Sequence, residues 1–122
     1  MEKMTNIAMF NSVQTLTQVE ERGILGYACA RNLRKLLDAL KEYMEKRDEL
    51  LKAYGTPKGN SQYLFEGPDS EQKFLEELRP YNTIEHDVDI YKVPLKEFLG
   101  GNLTSKQMYI LEWMIDESEE AK

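Results

Sequence analysis

An amphipathic stretch runs unbroken from about Leu25 to Tyr54, LGYACARNLRKLLDALKEYMEKRDELLKAY, and any fold of this chain must bury its apolar side. Counted as heptads from Gly26, position a holds Gly26, Leu33, Leu40, Arg47 and Tyr54. Position d holds Cys29, Leu36, Tyr43 and Leu50, and position e holds Ala30, Leu37, Met44 and Leu51. A stripe this regular specifies an amphipathic helix. Its three-position width suits a helix covered by several neighbours better than the narrow seam of a two-stranded coiled coil. The other face mixes Asp38, Lys41, Glu42, Glu45, Asp48, Glu49 and Lys52, the composition of a solvated surface. Ideal geometry makes this helix about 45 Å long. A compact chain of 122 residues has a radius of gyration of about 14 Å. The helix is therefore expected to protrude, leaving an exposed end for a partner or for a homodimer. Arg47 interrupts the apolar stripe. Either it snorkels past the end of a shorter neighbour or it makes a buried pair with a carboxylate that fixes register.

Before this stretch, Thr5 or Asn6 can cap a first helix to about Val19, with Ile7, Phe10, Val13 and Leu16 at steps of three. Gly23, closing Glu20-Glu21-Arg22-Gly23, suits a positive φ at the end of that helix. The short connection makes the two helices antiparallel neighbours, and Gly26, Ala28, Cys29 and Ala30 allow close approach. Gly55, Pro57 and Gly59 end the long helix. Gln62 to Phe65 reads as a short strand. Asp69 or Ser70 caps a short helix carrying Phe74, Leu75 and Leu78, with Gln72 completing a capping box and Pro80 ending it. Ile84 to Val93 alternates as a strand, and pairing with the Tyr63 strand would give a ribbon that must rest on the helices. PLKEFLGGN supplies a turn of helix. Thr104-Ser105-Lys106-Gln107 is a capping box opening the last helix, expected to pack on the long one.

The resulting fold class is mostly α (α+β): an antiparallel helix pair with a long central helix, a small two-stranded β ribbon and a C-terminal helix, in one domain spanning 1–122. Such a length buries about two-thirds of the unfolded chain's surface. The formal net charge is −6, which disfavours direct binding to nucleic acid or to an anionic membrane. Residues 24–54 carry a balance of +2 and residues 55–122 one of −7. The single cysteine, Cys29, fits a reducing compartment. The opening MEKMTNIAMF lacks the pattern of a secretion signal, and no apolar run reaches membrane-spanning length. A cytoplasmic location is expected.

The runs GYACARNLRKLLDAL, EKRDELLKAYG, KGNSQYLF, EQKFLEEL and DVDIYKVPLKEFLGGNLTSKQMYILEWMIDE resemble a family of small uncharacterised proteins from tailed phages and prophages of Gram-positive bacteria. The resemblance spans about Gly26 to Glu117. It implies a phage origin and brings no activity, cofactor or site residue with it.

Catalytic constellations are sparse. On a strand, His86 points away from Asp87 and Asp89, and no second histidine could complete a metal site. Asp87 and Asp89 share a face, but no calcium-loop spacing surrounds them, so solubilising charge is the simpler reading. Cys29 at a d position reads as a small core hydrophobe rather than a nucleophile. Walker, GxGxxG, GxSxG and HExxH motifs are missing. No enzyme activity, cofactor or metal is expected. The expected function is protein–protein binding, with inhibition of a host enzyme or defence nuclease as the leading form and a virion structural or assembly role as the alternative. The candidate protein-binding residues are Asp87, Asp89, Asp116, Glu117, Glu119 and Glu120, as one acidic surface, together with Tyr63 and Phe65 in the long loop after the central helix.

Overall fold

A computed structural model describes residues 2–57, 63–65 and 67–116. Strand β1 (Glu2–Thr5) runs directly into α1 (Asn6–Leu16), and α2 (Gly23–Tyr54) follows after a short turn. Then come β2 (Gly55–Pro57), β3 (Tyr63–Phe65), α3 (Pro68–Asn82), β4 (Glu85–Val88), β5 (Val93–Pro94), α4 (Leu95–Leu99) and α5 (Ser105–Ile110). A 3-10 turn at Glu112–Met114 and β6 (Ile115–Asp116) complete the order. The fold is mostly α with small β pairs, built around the long central helix.

The 32-residue α2 buries a stripe that follows the natural pitch of a straight helix. Steps of about 3.6 residues from Leu25 land on Ala28 and Cys29, Asn32, Leu36, Leu40, Tyr43, Arg47 and Leu50. All of these but Arg47 are buried. A heptad frame drifts about 20° per repeat against this pitch. Positions assigned to the stripe by sevens therefore fall off it near the start: Ala30 is exposed and Leu37 is 47% exposed, whereas Leu51, further along, is buried. The same drift hides Asn32, which is fully buried.

The ends of α2 are covered, contrary to the expectation of a protruding helix. Its last turns hold Leu50 and Leu51 inside, under α3 and the β2–β3 hairpin. At its start, Leu25 is buried and reaches Gly101, where an added Cβ would lie 2.8 Å from Glu21 Oε2. The Glu21 carboxylate also accepts a hydrogen bond from the Asn102 amide at 2.5 Å. The neighbouring elements wrap the helix along its whole length, because its apolar stripe is continuous from end to end.

Helix α1 packs antiparallel on α2: Phe10 meets the Tyr43 ring edge-on at 6.2 Å, and a short turn returns the chain to the start of α2. Thr5 caps α1, its hydroxyl accepting from the Ala8 amide. The helix ends at Leu16 rather than near Val19. The Gln18 and Val19 amides bond to Thr15 and Leu16 in tighter turns, and the Thr17 hydroxyl donates to the Gln14 carbonyl. Gly23 does take a positive φ, 64°, but as the first residue of α2. The deepest face of α1 is Asn6, Met9, Ser12 and Leu16, while Ile7 is 36% exposed. Ser12 is buried because the Trp113 indole donates to its hydroxyl at 3.1 Å. This also seats the last helix on α1, not along α2 as expected.

Arg47 adopts neither arrangement expected for it. Its guanidinium lies over two rings, 5.0 Å from the Phe10 centroid and 6.0 Å from that of Phe74, so one cation bridges α1 and α3. The Tyr43 hydroxyl donates to Asn82 Oδ1 at 2.5 Å and ties α2 to the end of α3. Helix α3 begins after Gly67 with Pro68 in its first turn, without the expected cap from Asp69 or Ser70. Proline with its preset φ serves as the opening residue. Pro80 is accommodated within α3, which continues to Asn82.

The strands pair differently from the expected ribbon. β3 pairs with β2 as an antiparallel hairpin, Gly55 opposite Phe65 and Pro57 opposite Tyr63. β4 pairs with β1, Lys3 opposite Asp87 and Met4 opposite His86. β5 and β6 pair in parallel. The Thr104 and Gln107 capping box is formed. Within the Ile84–Val93 run, Glu85–Val88 pairs with β1, the chain then leaves that ladder, and Val93 opens the separate β5.

Leu40, fully buried at the centre of the stripe, is expected to lose about 2–5 kcal/mol on truncation to Ala. Leu37→Ala on the open flank should cost under about 1 kcal/mol, and Leu36→Asp or Leu40→Asp should unfold the chain. Urea denaturation followed by circular dichroism reads all four. Gly26→Ala should also destabilise, because its Cβ would meet the Glu21 carbonyl oxygen.

Candidate functional site

The surface that contains Asp87, Asp89 and Tyr91 is positioned by one buried side chain on α2. Asn32 Nδ2 donates to the Tyr91 carbonyl at 2.9 Å, and the Tyr91 amide donates back to Asn32 Oδ1 at 2.7 Å. The side-chain amide thus replaces a strand partner for the main chain at Tyr91. This is why the alternating run stops being a strand after Val88: its hydrogen bonds turn from β1 to α2.

Upstream of the clamp, β4 turns Val88 into the core and leaves Glu85, Asp87 and then Asp89 exposed, with His86 half-buried on the opposite side. The period-two geometry is the one expected from sequence. The acidic groups have basic neighbours: Asp87 stands opposite Lys3 in the ladder, and Asp89 comes within 4.0 Å of Lys35. Lys92 pairs with Glu2 at 3.4 Å. Asp116 is half-buried opposite Pro94 in the β5–β6 pair. Glu117, Glu119 and Glu120 lie outside the described residues. Tyr63 stands opposite Pro57 in the hairpin, and Phe65 is half-buried against Phe74, with ring centroids 5.4 Å apart. Phe65 therefore braces the hairpin against α3, and Leu64 of β3 is exposed.

Downstream of the clamp is a cluster that a core-directed heptad frame passes over. Tyr27 and Tyr91 meet edge to face at 5.5 Å. The Arg31 guanidinium donates to the Tyr27 hydroxyl at 3.2 Å and sits 5.8 Å from the Tyr91 centroid. Tyr27 is 56% exposed and Ile24, on the same outer stripe, 52%. The signal was present in sequence: Ile24, Tyr27 and Arg31 recur at i, i+3 and i+7 opposite the core stripe.

Chemistry at the titratable groups is limited. Burial, with a smaller contribution from Glu21, pushes the Cys29 thiol up to about 11, so it is protonated at neutral pH. Among the described residues, no group of three His, Cys, Asp or Glu side chains could hold a metal ion. Within the same residues, no helix is long and apolar enough to cross a membrane.

Asn32→Leu should cost about 2–4 kcal/mol, since it leaves both Tyr91 main-chain groups without their partner. Hydrogen exchange at the Tyr91 amide should accelerate more than that along α2, which separates a lost clamp from global loosening. Cys29 should react slowly with iodoacetamide at neutral pH. Its raised pKa contributes stability that is fully present below about 9 and is lost as pH rises through about 11. An alkaline denaturation series should show this, and Cys29→Ala should remove it.

No protein-family model matches the chain, and no curated protein or solved structure matches it.

Proposed function

We propose that this chain is a small non-enzymatic phage or prophage protein that acts in the host cytoplasm by binding another protein through its acidic side. The observation that carries this is the exposed side of β4, where Glu85 and Asp87 are followed by exposed Asp89 just past the strand's end, between the β1 pairing and the Asn32 clamp. A rigid row of carboxylates suits a basic surface, such as one that normally contacts nucleic acid, on a host enzyme or defence nuclease. Lys3 stands opposite Asp87 in the ladder, and Lys35, paired with Asp89, neutralises part of the row. The negative balance of residues 55–122, which includes Asp116, Glu117, Glu119 and Glu120, supplies the longer-range attraction. Leu64, exposed on the hairpin, extends the contact area. Each exposed charge alone contributes little. Together they raise the association rate and make it sensitive to salt.

Affinity capture from host and infected-cell lysates identifies the partner. A host enzyme whose activity falls on binding supports inhibition; head or tail proteins alone would assign the chain to virion assembly. With the captured partner, the association rate should fall by about tenfold or more from about 50 to about 500 mM salt. The triple variant Asp87→Asn, Asp89→Asn, Glu117→Gln should flatten that dependence. A salt-independent rate for the unaltered chain would remove the electrostatic basis of the proposal.

A further inference from the structure

The first fourteen residues of α2 after Gly23, Ile24 to Leu37, carry Arg31, Arg34 and Lys35 and no acidic residue. This is a basic segment in an acidic chain. Its outward stripe is also apolar and aromatic, with Ile24 and Tyr27 more than half exposed and Tyr91 38% exposed beside them. Arg31 is held between the two tyrosines, by the Tyr27 hydroxyl on one side and the Tyr91 ring on the other. The main chain under Tyr91 is locked by Asn32. These mutual contacts of Tyr27, Arg31 and Tyr91 reduce the side-chain freedom that binding would have to remove. Tyrosine and arginine at the centre of an exposed patch are the residue types that dominate binding energy in interfaces.

We propose that this face of α2 is a second docking surface, opposite in sign to the β4 row, and that its occupant is an acidic, apolar-bearing segment of a partner protein. The N–H groups of Arg31 not used on Tyr27 can take a carboxylate in the two-pronged geometry that guanidinium favours. Arg34 extends the positive field along the helix, while Lys35 is shared with Asp89. Ile24 and Tyr27 provide the apolar floor for a leucine- or phenylalanine-like side chain. A peptide fits better than a nucleic acid here. A duplex carries a charge about every 1.7 Å and would meet the repulsion of a molecule with a net charge of −6. A short acidic peptide presents only a few carboxylates to the basic stripe.

The test uses the full chain and a fluorescein-labelled peptide of repeated Glu-Glu-Leu-Leu, read by fluorescence anisotropy at low salt. Saturable binding is expected, weakened about tenfold or more by Arg31→Ala and by Tyr27→Ala. Both positions are exposed, so unchanged thermal melts will confirm that these variants fold. Asp87→Asn, on the opposite-signed surface, should not weaken this peptide's binding, which separates this proposal from the acidic-face reading. No saturable binding, equal binding of a Gln-Gln-Leu-Leu peptide, or unchanged binding in both α2 variants would overturn it. Tighter binding of an oligothymidine would overturn it in favour of nucleic acid. A concentration-dependent dimer in light scattering that Arg31→Ala dissolves would overturn it in favour of a second copy of this chain.

Discussion

The buried stripe of α2 is the constraint from which the rest of the structure follows. A single helix of 32 residues with apolar groups at every turn cannot bury them against one short partner. Four kinds of element share the work: α1 alongside, α3 and the β2–β3 hairpin over the last turns, and the 100–102 loop against the first. Among the described residues each sheet has two strands. Each is marginal by itself and persists by resting on helices.

Two polar side chains within this apolar stripe decide how the covering pieces are placed. Asn32 takes the main chain of Tyr91 and so sets where the segment after β4 crosses the helix. Arg47 lies over Phe10 of α1 and Phe74 of α3. A buried amide left unpaired is costly, and the cost penalises any other crossing of the segment. A guanidinium over two rings keeps part of its attraction without a buried counter-ion, and so avoids the large desolvation penalty of a buried ion pair. The registers that these contacts set are the ones that bring Tyr91 beside Tyr27 and Arg31.

The outer surface divides by sign along the same lines. The start of α2 is basic and aromatic, and β4 is acidic. The Lys35–Asp89 contact, at 4.0 Å between exposed groups, marks where they meet. A pair of that kind holds little energy, and either group remains able to exchange its partner for another molecule's charge.

The long helix, the antiparallel α1, a cap at Thr5 or Asn6, the Thr104–Gln107 capping box and the mostly α class were legible from the chain alone, because each depends largely on residues within a turn or two of one another. That His86 and Val88 share one side of the strand and Asp87 the other was legible for the same reason, strand alternation being local. What lay beyond sequence was every choice between distant partners. Nothing near Glu2–Thr5 says that it will pair with Glu85–Val88, and nothing near Ile84–Val93 says that Asn32 will end the strand. The heptad count placed Asn32, Ala30 and Leu37 wrongly because a straight helix repeats every 3.6 residues, not every 3.5, and only packing reveals which pitch a helix keeps. The acidic and aromatic residues could be listed from sequence. Their division into a β4 row, a hairpin brace at Phe65 and a Tyr27–Arg31–Tyr91 cluster was decided by tertiary structure, since it turns on which side chains the folded chain brings within a few ångströms of each other.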